Sequence, residues 1–302
     1  MPTLRSTISP DTIWDFLCNL KKKASSNEIP RTARSIGWHA ESGLDFDSYS
    51  GSVILAKRND AGNWVPAEDL LPAEWDMLVL YLALATASKD KPFITAHLGQ
   101  SVDGCIAASN GSSHYVTGPE NILHLHRMRA LSDAVVVGAR TVELDDPRLT
   151  TRKVSGPDPV RVIIDPMRRI SNNHKIFEEA HTPTVVVCDK RFSDDTLASS
   201  SNLKILGLDS DVGRISPKHV IDSLFAMGLT RLFIEGGGVT VSSFLQAGVL
   251  TRLQITVAPI LIGNGIPSIT RHEIFDLSDA LRPPCRTCFL GQDVMFDFDM
   301  SQ

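Results

Sequence analysis

From Pro92 onward the chain alternates between short apolar runs and helical segments, and that alternation constrains the fold more than any other feature. Ala134-Val-Val-Val-Gly138, Val160-Arg-Val-Ile-Ile164, Thr184-Val-Val-Val-Cys188 and Arg231-Leu-Phe-Ile-Glu235 are nearly continuous in apolar residues rather than alternating apolar with polar. A strand that is apolar on both sides must be covered on both faces, which is the condition of a mostly parallel sheet flanked by helices. Phe93–Leu98 and Leu253–Val257 extend the set of strands, while Pro119–Leu131, Pro217–Met227 and Val239–Ala247 read as helices. Such a sheet places ligands beyond the carboxyl ends of its strands, where the glycine-rich turns lie.

Residues 1–90 read as a separate small α+β module of unknown function, with the α/β domain over 91–302. Ser9-Pro10-Asp11 starts a helix that ends near Lys21-Lys22-Lys23. Ser52–Ala56 and Trp64-Val65 flank Asn59–Asn63 as a hairpin, and a helix follows over Pro72–Ala87. All four tryptophans (Trp14, Trp38, Trp64 and Trp75) fall in this module.

At 302 residues the chain is long enough to fold on a hydrophobic core alone. With 30 Lys+Arg against 35 Asp+Glu, a formal charge of −5, it lacks the cationic excess of a general nucleic-acid binder. Met1–Ser6 lacks the apolar run of a signal peptide, and Met77–Ala87 is too short to span a bilayer. Five cysteines, three of them scattered, do not form a secreted disulfide framework. These features point to a cytoplasmic protein with neither a nucleic-acid nor a membrane partner.

Three stretches carry candidate chemistry. In Leu232-Phe-Ile-Glu235-Gly-Gly-Gly238-Val-Thr-Val-Ser-Ser243 a strand runs through three glycines into a helix, whose free N–H groups suit a pyrophosphate. Glu235 there becomes an acceptor for hydroxyl or amino groups. A flexible strand-to-helix turn is the alternative reading, since the G-x-G-x-x-G fingerprint is absent. In Val135–Arg152 a buried strand ends in Gly138-Ala-Arg140-Thr141, followed by Asp145-Asp146-Pro147 and Arg152, a side chain able to grip a phosphate bidentately. A solvated Asp-Pro loop is the alternative. The third stretch, Leu98–Gly104 and Ser112–Thr117, is a Gly/Ser-rich loop that leads towards Arg127 and Arg129.

Together these stretches resemble the reductase domain of riboflavin biosynthesis, found as the C-terminal half of the bifunctional deaminase-reductase and as free-standing diaminopyrimidine reductases. The resemblance covers residues 92–299. It rests on Ser101-Val-Asp-Gly104, Tyr115-Val-Thr117, His126-Arg-Met-Arg129-Ala130, Val135–Arg152, Arg161-Val-Ile-Ile-Asp165, Glu235-Gly-Gly237 and Ala258-Pro-Ile-Leu-Ile-Gly263. It implies a dihydrofolate-reductase-like three-layer fold and NADPH-dependent reduction of a ribosylamino-pyrimidine 5′-phosphate to its ribitylamino form. Hydride passes to C1′ of the sugar and a proton to the opening ring oxygen. It further implies a homodimer. By matching position, Gly99, Thr141, Asp145, Gly237, Gly238, Val239, Thr240 and Ser243 line the cofactor site, and Ser113, Arg129, Leu149, Arg152 and Glu235 the substrate site. Glu235, His97 and Asp145 are the catalytic candidates.

The chain departs from the family at three positions. His97 stands where the family has Lys, Tyr115 replaces a Trp, and Pro166 stands at a usual polar cofactor contact. These changes leave reduction of another heterocycle as a same-fold alternative. A different class, zinc-dependent deamination, is suggested by His39-Ala40-Glu41 and Pro284-Cys285-Arg286-Thr287-Cys288. The two halves are separated by the whole reductase-like region, and neither alone supplies a tetrahedral site, so coincidence is the better reading and no metal is expected. Cys285 and Cys288 then read as buried thiols in a loop.

Overall fold

The computed structural model describes residues 8–39, 41–47, 53–113, 116–178, 181–193, 202–270 and 274–301. The chain divides into two compact units, Met1–Pro92 and Phe93–Gln302.

The first unit comprises α1 (Pro10–Ser25), β1 (Ser35–His39), β2 (Gly43–Phe46), β3 (Val53–Arg58), β4 (Trp64–Pro66) and α2 (Pro72–Ala85). Helix α1 starts where the sequence directs: Ser9 Oγ accepts from Thr12 N–H, Pro10 opens the first turn, and Lys22 and Lys23 lie in the last turn. Its buried face carries Phe16, Leu17 and Leu20, each fully buried and each worth roughly 1.5–3 kcal/mol of burial. The four strands form an antiparallel sheet in the order β2-β1-β3-β4. Trp14 packs edge-on to Tyr81, and Trp38 to Phe16. Trp64 lies under the Arg58 guanidinium, whereas Trp75 is exposed, so two of the four indoles serve aromatic packing. His39 Nδ1 accepts the N–H groups of Glu41 and Ser42, which commits that nitrogen to the β1–β2 turn.

The second unit contains β5 (Phe93–Ser101), β6 (Cys105–Ala107), α3 (Pro119–Leu131), β7 (Ala134–Gly138), α4 (Ala139–Asp145), β8 (Val160–Ile164), α5 (Lys175–Glu178), β9 (Thr184–Asp189), β10 (Leu203–Leu208), β11 (Ser210–Asp211) and β12 (Arg214–Ile215). It continues through α6 (Pro217–Ala226), β13 (Arg231–Glu235), α7 (Gly238–Gln246), β14 (Arg252–Ala258), β15 (Ile266–Pro267), β16 (Cys285–Leu290) and β17 (Asp293–Asp299). The central sheet has nine strands in the order β10-β9-β8-β7-β13-β5-β14-β17-β16. Strands β10 through β14 of that order are parallel, and β17 and β16 add antiparallel at one edge. The expected mostly parallel α/β sheet is present.

Helices cover both faces. Ala96 and Leu98 of β5 join one apolar cluster with Val220, Leu224, Val241 and Phe244 of α6 and α7. Side chains alternate across a strand, so His97 points to the opposite face, where α3 lies. Strand β13 is late in sequence yet sits between β7 and β5, which opens a crevice at their carboxyl ends.

Two sequence readings change. Cys285 and Cys288 lie not in a loop but on strand β16, with Cys285 exposed and Cys288 half-buried. At a spacing of three they face opposite sides of the strand and do not converge on one ion. Among the described residues no group of three or more His, Cys, Asp or Glu side chains is placed to hold a metal. Ala139–Asp145, read as the end of the buried strand leading to an Asp-Asp-Pro turn, forms the short helix α4.

Candidate functional site

Two cavities, each of about 280 Å³, open at the carboxyl ends of β5, β7 and β13. Both are lined by Ile106, Ser113, Asp145 and Gly237, so they form two branches of one cleft.

The first branch lies over the starts of α4 and α7 and is built from backbone. Gly138, Thr141, Gly238, Val239 and Thr240 line it. The β13–α7 turn needs glycine for two reasons. Gly236 adopts φ +129, a conformation side-chain-bearing residues rarely reach. At Gly238 a Cβ would fall 1.8 Å from the Ser268 carbonyl oxygen. Thr141 Oγ1 accepts from Gly237 N–H at 3.1 Å, tying the β7–α4 and β13–α7 turns together. Thr240 N–H is taken by the Gly237 carbonyl, while the Gly238 and Val239 N–H groups at the very start of α7 have no acceptor within the helix and can serve an anion. Arg140, exposed in the first turn of α4, is the only arginine or lysine among the described residues lining either branch.

The second branch is built from side chains. His97, Gly99, Thr117, Asn121, Asp145 and Glu235 line it. Gly99 abuts Thr117, where a Cβ would approach within 2.6 Å of Thr117 Cγ2. Ser113 Oγ donates to Asp145 Oδ1 at 2.7 Å, linking the loop after β6 to the end of α4. Glu235 receives a two-pronged contact from Arg129: Nε to Oε2 at 2.8 Å, and Nη2 to Oε1. Arg129 also reaches the Thr150 carbonyl at 3.3 Å. His97 is buried; burial and the neighbouring His124 push its pKa down to about 3.

The sequence candidates are thus brought together unevenly. Gly99, Ser113, His97, Thr141, Asp145, Glu235, Gly237, Gly238, Val239 and Thr240 line the cleft. Arg129, Leu149, Arg152 and Ser243 line neither branch. Arg129, expected in the substrate site, lies behind the lining and is engaged with Glu235, since a partly buried carboxylate needs a paired cation. Leu149 is buried with φ +55 and Asp146 has φ +42, so the Asp-Asp-Pro loop holds two residues in the left-handed region. Each costs roughly 1–3 kcal/mol, and Asp146 is anchored by the Lys175 N–H and Nζ. Arg152 is exposed; its N–H reaches His126 Nδ1 and its Nη1 the Thr150 hydroxyl. His114 and Tyr115 lie outside the described residues.

Asp103 accounts for two further motifs. It accepts from the Ser101 hydroxyl and from the Ile262 and Gly263 N–H groups, which hold its pKa down to about 2. Ser101–Gly104 and Ala258–Gly263 are therefore two sides of one clamp. The sequence stretch after Gly138 contains Arg140 but gave it no role, and Asn121 in the lining and Thr256 behind His97 were missed. Of these two, Asn121 left a trace, a polar residue three before His124 on the buried side of α3.

The model of the family "RibD C-terminal domain" matches residues 92–282. The chain is 28% identical over 217 residues to the 2,5-diamino-6-ribosylamino-4(3H)-pyrimidinone 5′-phosphate reductase of Methanothermobacter thermautotrophicus, covering 69% of this chain and 98% of that one. It is 31% identical to the riboflavin biosynthesis protein RibD of Aquifex aeolicus over 70% of this chain, and spans 58% of that protein's length. Among solved structures, Acinetobacter baumannii RibD superposes with a TM-score of 0.61 at 24% identity, over 76% of this chain and 63% of that one. With more than half of its length matched by the family model, the chain belongs to the RibD C-terminal domain family.

Proposed function

We propose that the second unit reduces a ribosylamino-pyrimidine 5′-phosphate to its ribitylamino form with NADPH, as the riboflavin pathway requires. The observation that carries this reading is the single cleft with two unlike branches, one suited to phosphates and one to a polar heterocycle. The backbone branch fits a dinucleotide: a Cβ at Gly138 would come within 2.5 Å of Thr240 Oγ1, so a close-packed cradle forms beside the start of α7. Arg140 adds positive charge there, which suits the phosphates of NADPH. When bound, the dihydronicotinamide supplies the hydride.

The remaining work falls to this chain's side chains. Glu235, fixed by Arg129, offers carboxylate oxygens to hydroxyl or amino groups of the substrate. Asp145 and Ser113, shared by both branches, sit where cofactor and substrate would meet. Arg152, outside the lining, is the candidate for the 5′-phosphate. A homodimer in the cytoplasm completes the proposal; among the described residues no helix is long and apolar enough to cross a membrane. The test is NADPH oxidation followed by absorbance, with ribosylamino-pyrimidine phosphates bearing or lacking the 2-amino group. Oxidation dependent on one of them supports the reading, and oxidation with neither defeats it.

A further inference from the structure

The face of the sheet beneath α3 carries polar groups that nothing above explains. Thr256 on β14 and His97 on β5 lie on adjacent parallel strands, with Gln254 paired to His97 and Thr256 to Gly99. Residues 254 and 256 therefore share the face of His97. Above them Asn121 and His124, three apart on α3, project onto that face. His124 is engaged with Gln254 at 2.9 Å, and Asn121 meets His97.

The contacts around His97 form a triangle. Its Nε2 lies 3.0 Å from Asn121 Oδ1 and 3.1 Å from Thr256 Oγ1. Thr256 Oγ1 lies 2.9 Å from the same Asn121 oxygen, and Asn121 Nδ2 donates to Thr117 Oγ1 at 2.9 Å. A threonine hydroxyl has one proton, and here it goes to Asn121 Oδ1. His97 Nε2 faces an amide oxygen and a hydroxyl that has already donated its proton, so Nε2 carries the ring proton. In a neutral ring the other nitrogen, Nδ1, then keeps its lone pair. No described residue hydrogen-bonds to Nδ1 in the structure, and the ring lines the side-chain branch of the cleft.

We propose that His97 serves the cleft as a neutral hydrogen-bond acceptor through Nδ1, not as an acid, and that Asn121 with Thr256 are positioning residues that fix it in this state. The site then selects a ligand bearing a hydroxyl or amino donor opposite Nδ1. Burial supports the neutral ring, because it opposes the charged form. Of the ionisable groups near the ring, His124 on α3 also opposes a second proton on His97, while Glu235, paired in register on β13, is neutralised by Arg129. The proposal rests on the reductase reading for the identity of the donor-bearing ligand, but its tautomer is set by the protein alone.

The experiment is 15N NMR of the histidine-labelled full chain at neutral pH, paired with steady-state kinetics. The His97 ring, assigned by its loss in His97→Gln, should show a protonated Nε2 and a pyridine-like Nδ1. A protonated Nδ1, or a doubly protonated ring, overturns the proposal. Asn121→Ala should shift the tautomer balance and raise KM for the pyrimidine roughly tenfold, with a smaller change in kcat, as expected for one misplaced hydrogen bond. Thr256→Val, a milder change, should move both readouts the same way by less and covers the case in which Asn121→Ala does not fold. Folded variants with an unchanged tautomer and unchanged KM overturn the role of the triangle. Wild-type protein that shows the Nε2–H ring but no pyrimidine-dependent NADPH oxidation defeats the reductase reading, and the ligand-selecting role of His97 with it, while leaving the protein-set tautomer standing.

Discussion

The two branches of the cleft differ in what they are made of. The branch over α4 and α7 is shaped by glycines, a hydroxyl that joins two turns, and helix N–H groups. The branch under α3 is shaped by side chains from β5, β13, β14 and α3 that hold one another through hydrogen bonds and an ion pair. A backbone-built site tolerates a range of side chains provided that no Cβ intrudes. A side-chain-built site depends on every partner, because each deletion leaves another buried polar group unsatisfied. The two branches should therefore respond differently to substitution.

The largest expected effect is in the side-chain branch. Arg129→Ala strips Glu235 of its partner in a site where the two side chains are 9% and 14% exposed. It should cost about 3 kcal/mol of stability, the low end for a broken buried pair, and should also impair turnover; urea denaturation and kinetics check both. If Arg129→Ala is neutral, the contrast between the branches fails on this side. Gly238→Ala comes next, because its Cβ would collide with the Ser268 carbonyl rather than with a flexible side chain. It should cost roughly 1–3 kcal/mol and abolish dinucleotide binding measured by calorimetry. Arg140→Gln sharpens the comparison: the residue is exposed, so stability should hold while affinity for NADP+ falls about tenfold and loses part of its salt dependence.

The smallest effect concerns the Asp103 clamp. Its pKa is depressed in the folded chain to about 2 from an ordinary 3.8. The stabilisation is therefore present above the ordinary value and is lost as pH falls through that window towards about 2. Acid unfolding of Asp103→Asn should lack this part of the pH dependence. An unchanged acid limb would mean the clamp contributes nothing.

The same contrast explains what was legible in the sequence. Strands β7, β8 and β13 match their sequence readings at both ends because a run buried on both faces has no alternative. Glu235-Gly-Gly-Gly238 stood out because a backbone-built site leaves glycines in the chain. Strand β10 was missed: Lys204 and Gly207 interrupt its apolar run, as an edge strand permits. Strand β17 was missed because its buried side carries Asp293 and Asp297, with Asp297 held by Arg252 and Arg286, the reverse of the usual alternation. Asn121 and Thr256 lie 135 residues apart, and only the β5–β14 register and the placement of α3 bring them onto His97. Arg129 and Glu235 were both named, yet their mutual engagement follows from packing that no local pattern records.

The most direct test of the central claim follows the transferred hydrogen. Turnover with NADPH deuterated at the transferring carbon of the nicotinamide, using the ribosylamino-pyrimidine phosphate, should place one deuterium at C1′ of the ribityl product by mass spectrometry. Product lacking the label, or carrying it at another carbon, would contradict the account.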